Sequence, residues 1–370
     1  MRYYLIAGEA SGDLHGGNLM KGLKTADPSA EFRFWGGDNM AAASGSSPVV
    51  HYRDCAVMGI TDVMFKAPAL LGNLKRCKKD IADWKPDAVI LIDYPGFNLK
   101  IAKYCKDISV KVFWYIAPKT WASREGRNAR LKEYVDKMFI IFPFEIQYFS
   151  DKGIPFQYVG TPLVEEIDSH EWKRPCEGSY IALLPGSRKG EISRMMPVCM
   201  EAADALGMKV LVAGAPAADM ETYTPYINGR SNVEVLFGRT LDILKYADAA
   251  IINSGTASLE AALTGTPQVV CWSASGFSFF VGKYILRVLD HVKYISLANL
   301  CLDKPVFKEL IQNDFNAQAV TGEVRNLLEN SRRREEMQAD YARLREVLGG
   351  GGASLTAARA IMEEIKPSQI

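Results

Sequence analysis

The chain has 370 residues, with 44 Lys and Arg against 43 Asp and Glu, for a formal net charge of +1. Domains average roughly 150 residues, so this length predicts two large domains. The near-neutral charge argues against bulk binding of polyanions, and no nucleic-acid partner is expected. The seven cysteines form no CxxC pair, and the four histidines are dispersed. We therefore expect reduced thiols in a cytoplasmic protein and no metal site.

No apolar run is long enough to cross a membrane. The longest, Met138–Phe144, is far below the ~18 residues of a membrane span. The first residues lead directly into a predicted strand and lack the apolar core of a signal peptide. The sequence therefore predicts a protein without a transmembrane helix, and attachment to a membrane surface stays open.

Short apolar runs alternate with helical patterns along the chain, which predicts βαβ units and parallel sheets. The strands predicted in the first half are Arg2–Gly8, Glu31–Gly37, Ala88–Asp93, Val110–Ala117, Met138–Phe144 and Phe156–Gly160. Those in the second half are Tyr180–Leu184, Lys209–Gly214, Val233–Phe237, Ala249–Asn253 and Gln268–Trp272. Gly17–Lys24 and Arg194–Leu206 are examples of the predicted helices. The expected fold class is α/β, with two doubly wound parallel sheets.

A polar, aperiodic segment at Glu165–Gly178 separates the two series and predicts a linker. The predicted domains are residues 1–168 and 169–348. Four glycines, Gly349–Gly352, then separate predicted helices at Glu323–Val347 and Ser354–Ile365. Four glycines cannot continue a helix cheaply. We therefore expect residues 349–370 to change direction and to return to the first domain.

In parallel sheets ligands bind beyond the carboxyl ends of the strands. The first strand is followed by Gly8–Asp13, which matches neither a dinucleotide fingerprint nor a P-loop. An ordinary turn explains this segment equally well. Asp93 follows another buried strand, where partial burial would raise its pKa toward that of a useful base. A turn or cap role before Pro95 fits the spacing alone somewhat better.

Two strand ends in the second half favour a nucleotide diphosphate. Pro185–Arg188 places a guanidinium fork, suited to phosphate oxygens, just before a helix. Asn253–Ser258 presents hydroxyl groups and the start of another helix, whose N–H groups and dipole favour an anion. Glu260, one turn into that helix, is placed to accept hydrogen bonds from ribose hydroxyls. Each feature alone also fits a simple helix cap.

The segment Met58–Asp80 is both apolar and basic. A stretch of this kind can lie among the headgroups of anionic lipids. A helix with one face in the core and a solvated basic face is the alternative, and spacing alone does not decide between them.

Ten motifs share a common order and spacing with one enzyme family. They are AGEASGD (Ala7–Asp13), AVMGI (Ala56–Ile60), PDAVILIDYPGFN (Pro86–Asn98), YIAPKTWA (Tyr115–Ala122), FPFE (Phe142–Glu145), VGTPL (Val159–Leu163), LLPGSRKGEI (Leu183–Ile192), SGTASLE (Ser254–Glu260), YISLANL (Tyr294–Leu300) and FKELIQ (Phe307–Gln312). Through them essentially the whole chain resembles the lipid-A-disaccharide synthases.

The resemblance implies a GT-B glycosyltransferase with two Rossmann-like domains facing a cleft. The implied reaction joins UDP-2,3-diacylglucosamine to 2,3-diacylglucosamine 1-phosphate with inversion, giving a β-1,6-linked disaccharide and UDP. It implies no metal and no cofactor. It also implies a peripheral position on anionic lipids at the cytoplasmic face of the inner membrane of a Gram-negative bacterium.

The resemblance also assigns residues. Catalytic candidates are Asp93 as general base, Glu9, and Arg188 as a contact of the UDP phosphates. Substrate- or nucleotide-binding candidates are Ser11, Gly12, Gly186, Ser187, Gly214, Ser254, Gly255, Thr256, Ala257, Glu260 and Asn299. The apolar and basic segment itself supplies the candidates for membrane or acyl-chain contact, which are Met58, Ile60, Val63, Met64, Phe65, Leu70, Leu71, Leu74, Lys75 and Arg76. The chain departs from the family at Gly96, where a second aspartate is usual, and this favours Asp93 as the essential carboxylate.

Two other functions remain open at this point. A UDP-N-acetylglucosamine 2-epimerase would share the architecture but would need no lipid acceptor. A non-catalytic UDP-sugar-binding protein at a membrane would bind UDP without releasing it from substrate. The glycines at 349–352 would also permit a homodimer that exchanges its last helix.

Overall fold

The computed structural model describes residues 1–55, 67–122, 124–274 and 293–365. The chain divides into two compact units, residues 1–162 with 351–370, and residues 163–350. The predicted first domain ended later, at residue 168. The helix that spans this difference, Pro162–Asp168, belongs almost wholly to the second unit, where Asp168 forms an ion pair with Arg345.

The first unit is built around a seven-stranded parallel sheet in the order β3-β2-β1-β4-β5-β6-β7. Its strands are β1 (Arg2–Ala7), β2 (Glu31–Gly36), β3 (Val50–His51), β4 (Ala88–Ile92), β5 (Lys111–Tyr115), β6 (Lys137–Ile140) and β7 (Phe156–Tyr158). Its described helices up to residue 152 are α1 (Ala10–Ala26), α2 (Asp38–Ser44), α3 (Tyr52–Cys55), α4 (Ala67–Trp84), α5 (Pro95–Asp107), α6 (Asn128–Tyr134) and α7 (Phe144–Lys152). The central strands are apolar throughout because helices cover both faces of the sheet.

The second unit repeats this plan with a six-stranded parallel sheet, in the order β10-β9-β8-β11-β12-β13. Its strands are β8 (Tyr180–Leu184), β9 (Lys209–Gly214), β10 (Val233–Phe237), β11 (Ala249–Asn253), β12 (Gln268–Trp272) and β13 (Glu309–Ile311). Its described helices are α8 (Pro162–Asp168), α9 (Lys189–Leu206), α10 (Met220–Ile227), α11 (Thr240–Lys245), α12 (Ala257–Thr264), α13 (Leu297–Leu302), α14 (Ala317–Glu329) and α15 (Ser331–Leu348). The predicted class, two doubly wound parallel sheets, is confirmed.

The last helix, α16 (Ala353–Ile365), packs on α1 in the first unit. A side chain at Gly22 of α1 would come within 2.8 Å of the Ser354 carbonyl oxygen, so the absence of a side chain permits this close approach. The ion pair between Lys137 and Glu364, at 2.5 Å, fastens the other end of α16.

Several predicted boundaries are wrong for local reasons. The predicted strand Met138–Phe144 ends at Ile140, because the Glu145 carboxylate accepts the backbone N–H groups of the next two residues and turns the chain into α7. The predicted helix Glu323–Val347 is two helices, because the Asn330 side chain accepts the N–H of Arg333 and starts a new one. The edge strands β3 and β13 are too short to show a period.

Each sheet has one point where the strand order reverses its direction. It lies between β1 and β4 in the first sheet and between β8 and β11 in the second. The loops that follow neighbouring strands diverge at such a point and leave a crevice that accommodates ligands. These two sheet edges carry most of the predicted site residues.

Candidate active site

Glu9 and Asp93 come together at the switch point of the first sheet. Strands β1 and β4 are neighbours, with Ala7 paired to Ile92, so the residues after them leave the sheet side by side. The carboxyl groups of Glu9 and Asp93 lie within hydrogen-bond distance of each other. Ser11 Oγ donates to Glu9 Oε1 at 2.9 Å. The structure thus brings three of the predicted residues into one acidic cluster.

Burial dominates the electrostatics of Asp93. It raises the pKa of this carboxyl from 3.8 to about 6, and the negative charge of Glu9 acts in the same direction while Lys119 opposes it. Such a carboxyl is mostly ionised at neutral pH, and it is a stronger base than an exposed aspartate. These are the properties that a general base requires.

The backbone around Asp93 is strained and is held from two sides. Asp93 and Tyr94 have φ angles of 44° and 47°, in the left-handed region that non-glycine residues rarely adopt. Asn98 Nδ2 donates to the Asp93 carbonyl oxygen at 2.7 Å. Gly8 lies under the Tyr94 ring, where a Cβ would sit 2.4 Å from the nearest ring carbon. The turn that aims Asp93 therefore depends on Asn98 and Gly8, which the sequence analysis did not single out.

Glu145 is a further buried carboxyl at this edge of the sheet. Burial raises its pKa to about 7, although three donors and Lys119 oppose the shift. Besides the two backbone N–H groups described above, it accepts the indole N–H of Trp121 at 3.2 Å. It thereby ties the segment after β5 to the start of α7, close to Lys119.

Two residues of the first motif have structural roles. Gly12 is buried where α1 approaches the sheet, and a Cβ there would meet the Ala7 Cβ at 3.2 Å, so the missing side chain permits close packing, while its ligand contact stays a prediction. The neighbouring Asp13 is buried and accepts the N–H groups of Gly37, Asn39 and Met40 at 2.6 to 3.1 Å. Asp13 therefore caps α2.

In the second unit, β8 and β11 lead into two helix starts. The turn after β8 requires Gly186, because its φ is 111° and a Cβ would come 2.6 Å from Asn253 Nδ2. The backbone N–H groups of Ser187 and Arg188 are accepted by Glu191 Oε2 at 3.0 and 3.3 Å. The Arg188 side chain is 70% exposed and touches Glu191 at 3.2 Å, so its guanidinium faces solvent with donors to spare.

The turn after β11 presents small and hydroxyl-bearing residues. Thr256 is exposed at the start of α12, and a Cβ at Gly255 would have nothing within 4 Å, so this side is open. Ala257 is the first residue of α12, and the N–H groups of the next two residues are accepted by the carbonyl oxygens of Gly255 and Thr256. Ser254 instead donates its hydroxyl to the Ile295 carbonyl oxygen at 3.0 Å, which fixes the loop before α13.

Glu260 and Gly214 are two further predicted binding residues of the second unit, on α12 and at the end of β9. Burial raises the pKa of Glu260 to about 7, and the charge of Glu166 on α8 adds to the shift. Gly214 ends β9, and a Cβ there would meet the Phe237 ring at 2.5 Å. Phe237 is 39% exposed at the end of β10. The only signal for Phe237 in the sequence was an aromatic residue at a strand end.

Asn299 was predicted as a substrate contact, and the structure corrects this assignment. Its side chain is fully buried on α13. Its Nδ2 donates to the Phe307 carbonyl oxygen and to Glu309 Oε1, while its Oδ1 accepts the N–H of Val306 at 2.9 Å. Its hydrogen-bonding capacity is therefore used within the protein. Glu309 also accepts the N–H groups of Ile295 and Ser296, so Asn299 and Glu309 together position the loop before α13.

Half of the residues predicted to contact the membrane or acyl chains lie within the described part of the chain. Met58, Ile60, Val63, Met64 and Phe65 lie outside the described residues. On α4, Leu71 is 62% exposed and Lys75 and Arg76 are exposed. Leu70 packs against the core, and Leu74 is 6% exposed within it, so contact of these two residues with membrane or acyl chains stays a prediction. A groove of about 580 Å³ borders this helix, lined by Leu71, Leu74, Lys75, Lys78, Leu99, Lys100, Lys103, Arg130 and Tyr134.

The described residues contain neither a metal-binding cluster nor a membrane-spanning helix. No group of three or more His, Cys, Asp or Glu side chains in these ranges is arranged to hold a metal ion. Among the helices that the structure describes, none is long and apolar enough to cross a membrane.

Residues 3–363 match the sequence model of the family described as Lipid-A-disaccharide synthetase (LpxB). The chain belongs to the lipid-A-disaccharide synthase family. Relatives named lipid-A-disaccharide synthase include a Myxococcus xanthus protein, 37% identical over 100% of this chain and 99% of its own length. Another, from Syntrophus aciditrophicus, is 37% identical over 98% of each chain. As a lipid-A-disaccharide synthase, the protein is a glycosyltransferase of lipid A biosynthesis.

Solved structures confirm the fold of this synthase. The co-structure of Staphylococcus aureus MnaA with UDP has a TM-score of 0.73 at 12% identity, covering 100% of this chain and 99% of that one. The glycotransferase of kitacinnamycin has a TM-score of 0.66 at 15% identity, covering 99% of each. These neighbours establish the GT-B fold alone. The epimerase alternative is not favoured, because the sequence relatives are synthases.

Proposed function

We propose that the enzyme transfers 2,3-diacylglucosamine from its UDP derivative to the 6-hydroxyl of 2,3-diacylglucosamine 1-phosphate, releasing UDP. The observation that carries this proposal is Asp93, a carboxyl whose pKa is raised to about 6 at the switch point of the first sheet. Family membership supports the reaction class.

Asp93 accepts the proton of the acceptor hydroxyl as that oxygen bonds to C1 of the donor sugar. The bond between C1 and the diphosphate oxygen breaks, its electron pair leaves with UDP, and the configuration at C1 inverts. Glu9 supports this step by keeping the pKa of Asp93 high, since a like charge nearby disfavours ionisation. Asn98 and Gly8 hold the strained turn that aims the carboxylate.

The departing UDP carries negative charge that the second unit is equipped to receive. The exposed Arg188 guanidinium offers a donor fork for phosphate oxygens, and the start of α12 offers the positive end of the helix dipole beside the exposed Thr256. The exposed face of Phe237 suits stacking on the base of the nucleotide. This proposal invokes no resident metal or cofactor, so chelation of divalent ions is expected to leave turnover unchanged.

We also propose that the enzyme sits peripherally on anionic lipid at the cytoplasmic face of the inner membrane. Leu71 exposes an apolar side chain next to Lys75 and Arg76, which suits the boundary between headgroups and acyl chains. Both proposed substrates carry acyl chains, so a membrane-facing surface would give them access. Exchange of α16 between two copies, which the glycines at 349–352 allow, stays a prediction that the molar mass in solution would test.

Product analysis tests the transfer reaction. Purified enzyme is incubated with both acylated glucosamines, and disaccharide and UDP are quantified by mass spectrometry. The proposal expects the two products in equal amounts and neither product when the acceptor is omitted. UDP-sugar epimerised at C2 would instead indicate an epimerase, and UDP binding without any product would indicate a binding protein.

A further inference from the structure

Three neighbouring arginines, one of which feels the charge of Asp93, form no ion pair with a carboxylate among the described residues. Arg124, Arg127 and Arg130 follow each other at intervals of three residues, through a short 3-10 turn and into α6. This spacing brings side chains to one face of a helical segment. Within the described residues, none of the three forms an ion pair with a carboxylate within 4 Å. The one acidic residue among them, Glu125, is paired with Lys152 instead.

Arg127 is the middle arginine of this cluster, and it is influenced by the charge of Asp93. Its side chain is half-buried, whereas Arg124 and Arg130 are exposed. Burial and the positive charges of Arg124 and Arg130 lower the pKa of Arg127, and the charge of Asp93 opposes this shift. Three concentrated positive charges, one partly desolvated, are unfavourable unless an anion joins them.

The cluster continues into the groove beside α4. Arg130 lines that groove together with Leu71, Leu99 and Lys100. Leu99 and Lys100 lie on α5, the helix that begins just after Asp93. Arg130 therefore belongs both to the arginine cluster and to the lining of an apolar and basic groove. The cluster and the groove together fit a molecule that has a phosphate at one end and acyl chains at the other.

We propose that Arg127, assisted by Arg124 and Arg130, binds the anomeric phosphate of the acceptor sugar and selects the phosphorylated acceptor. This inference rests on the proposed function and deepens it. A phosphate monoester carries close to two negative charges at neutral pH, and arginine forks bind its oxygens in pairs. The arginines also offset the repulsion that Glu9 and Asp93 would exert on such an anion.

The test compares two acceptors, 2,3-diacylglucosamine with and without its 1-phosphate. The readout is the ratio of their kcat/KM values, because this ratio is insensitive to changes in Asp93 that affect both acceptors equally. Arg127→Gln is expected to lower the ratio by about 30-fold, the scale of a lost, partly buried charge contact. Arg127→Lys should keep part of the preference, because it retains the charge without the fork.

A double variant provides a second test that does not depend on the folding of Arg127→Gln. Arg124→Gln with Arg130→Gln changes only exposed side chains and is expected to lower the ratio by about 10-fold. Arg332→Gln, at an exposed arginine of α15, is the matched control and should leave the ratio unchanged. KM for the donor should stay constant in every variant.

Direct binding of each acceptor in detergent micelles, without donor, separates this inference from the proposed reaction. The inference is supported if the phosphorylated acceptor binds more tightly to the wild type and this preference is lost in Arg127→Gln. If the enzyme binds in this way but turns over neither acceptor, only the proposed transfer reaction is refuted. The inference would be overturned if the kcat/KM ratio and the binding preference were both unchanged in Arg127→Gln and in the double variant of Arg124 and Arg130.

Discussion

The two sheet edges share one topology and carry opposite chemistry. At the first edge, β1 and β4 deliver two carboxyl groups into contact, and burial raises the pKa of Asp93 to about 6. At the second edge, β8 and β11 lead into glycine turns, a hydroxyl group, helix starts and the exposed Arg188. A doubly wound sheet fixes where a ligand binds, and the few residues after its central strands decide whether that place removes a proton or receives an anion.

The largest effect is expected at the proposed general base, Asp93. Asp93→Asn keeps the size of the side chain and removes its capacity to accept a proton, so we expect kcat to fall by about 10²- to 10⁴-fold. Steady-state kinetics with both acylated substrates measure this loss. Turnover near the wild-type level in folded Asp93→Asn protein would show that Asp93 is not the base.

The second edge is tested by Arg188→Ala. We expect kcat/KM for the UDP-sugar to fall by about 10²- to 10³-fold, because a donor aimed at the developing charge is lost. The side chain is largely exposed, so the melting temperature should not change. Arg188→Lys should recover part of the loss through its charge. An undiminished kcat/KM in the alanine variant would remove Arg188 from the site.

A structural residue of the first edge should behave differently from its catalytic neighbours. Asp13→Ala leaves the buried N–H groups at the start of α2 without an acceptor, at a cost of about 2 to 4 kcal/mol in the free energy of unfolding. Thermal unfolding should shift down by about 5 to 12 °C, with kcat below the transition within two-fold of wild type. A loss of kcat without a loss of stability would contradict the capping role.

Glu9→Gln tests how the charge of Glu9 affects the pKa of Asp93. The charge of Glu9 raises the pKa of Asp93, so its removal lowers that pKa. Since the ionised base is the active form, kcat/KM of the wild type should fall on the acid side near pH 6, and in Glu9→Gln this limb should move to lower pH. Profiles recorded between about pH 5 and pH 9 measure the shift. A limb that moves upward would contradict the assigned interaction.

The smallest effect concerns the membrane surface. Leu71→Ser removes an exposed apolar side chain and is expected to weaken binding to anionic vesicles by about 3- to 10-fold, a fraction of the free energy of burying a leucine. Ile108→Ser, at an exposed apolar residue after α5, is the matched control and should bind like wild type. Equal vesicle co-sedimentation of Leu71→Ser and wild type would move the contact away from this face of α4.

The sequence located the strand ends well, because fully buried parallel strands are continuous apolar runs and the polar residue that ends each run is conspicuous. Asp93 and Arg188 were found in this way. Asn299 was misassigned because the hydrogen bonds of its side chain depend on partners that only the fold brings together, such as Glu309. Glu145 escaped assignment for the same reason, since its partners become visible only when the chain folds around it.

Calorimetric titration of UDP into wild type, Asp93→Asn and Arg188→Ala tests the division of labour between the two edges most directly. We predict that Asp93→Asn binds UDP with wild-type affinity, whereas Arg188→Ala binds it at least about 10-fold more weakly. UDP binding that is weakened in Asp93→Asn and unchanged in Arg188→Ala would contradict this division of labour.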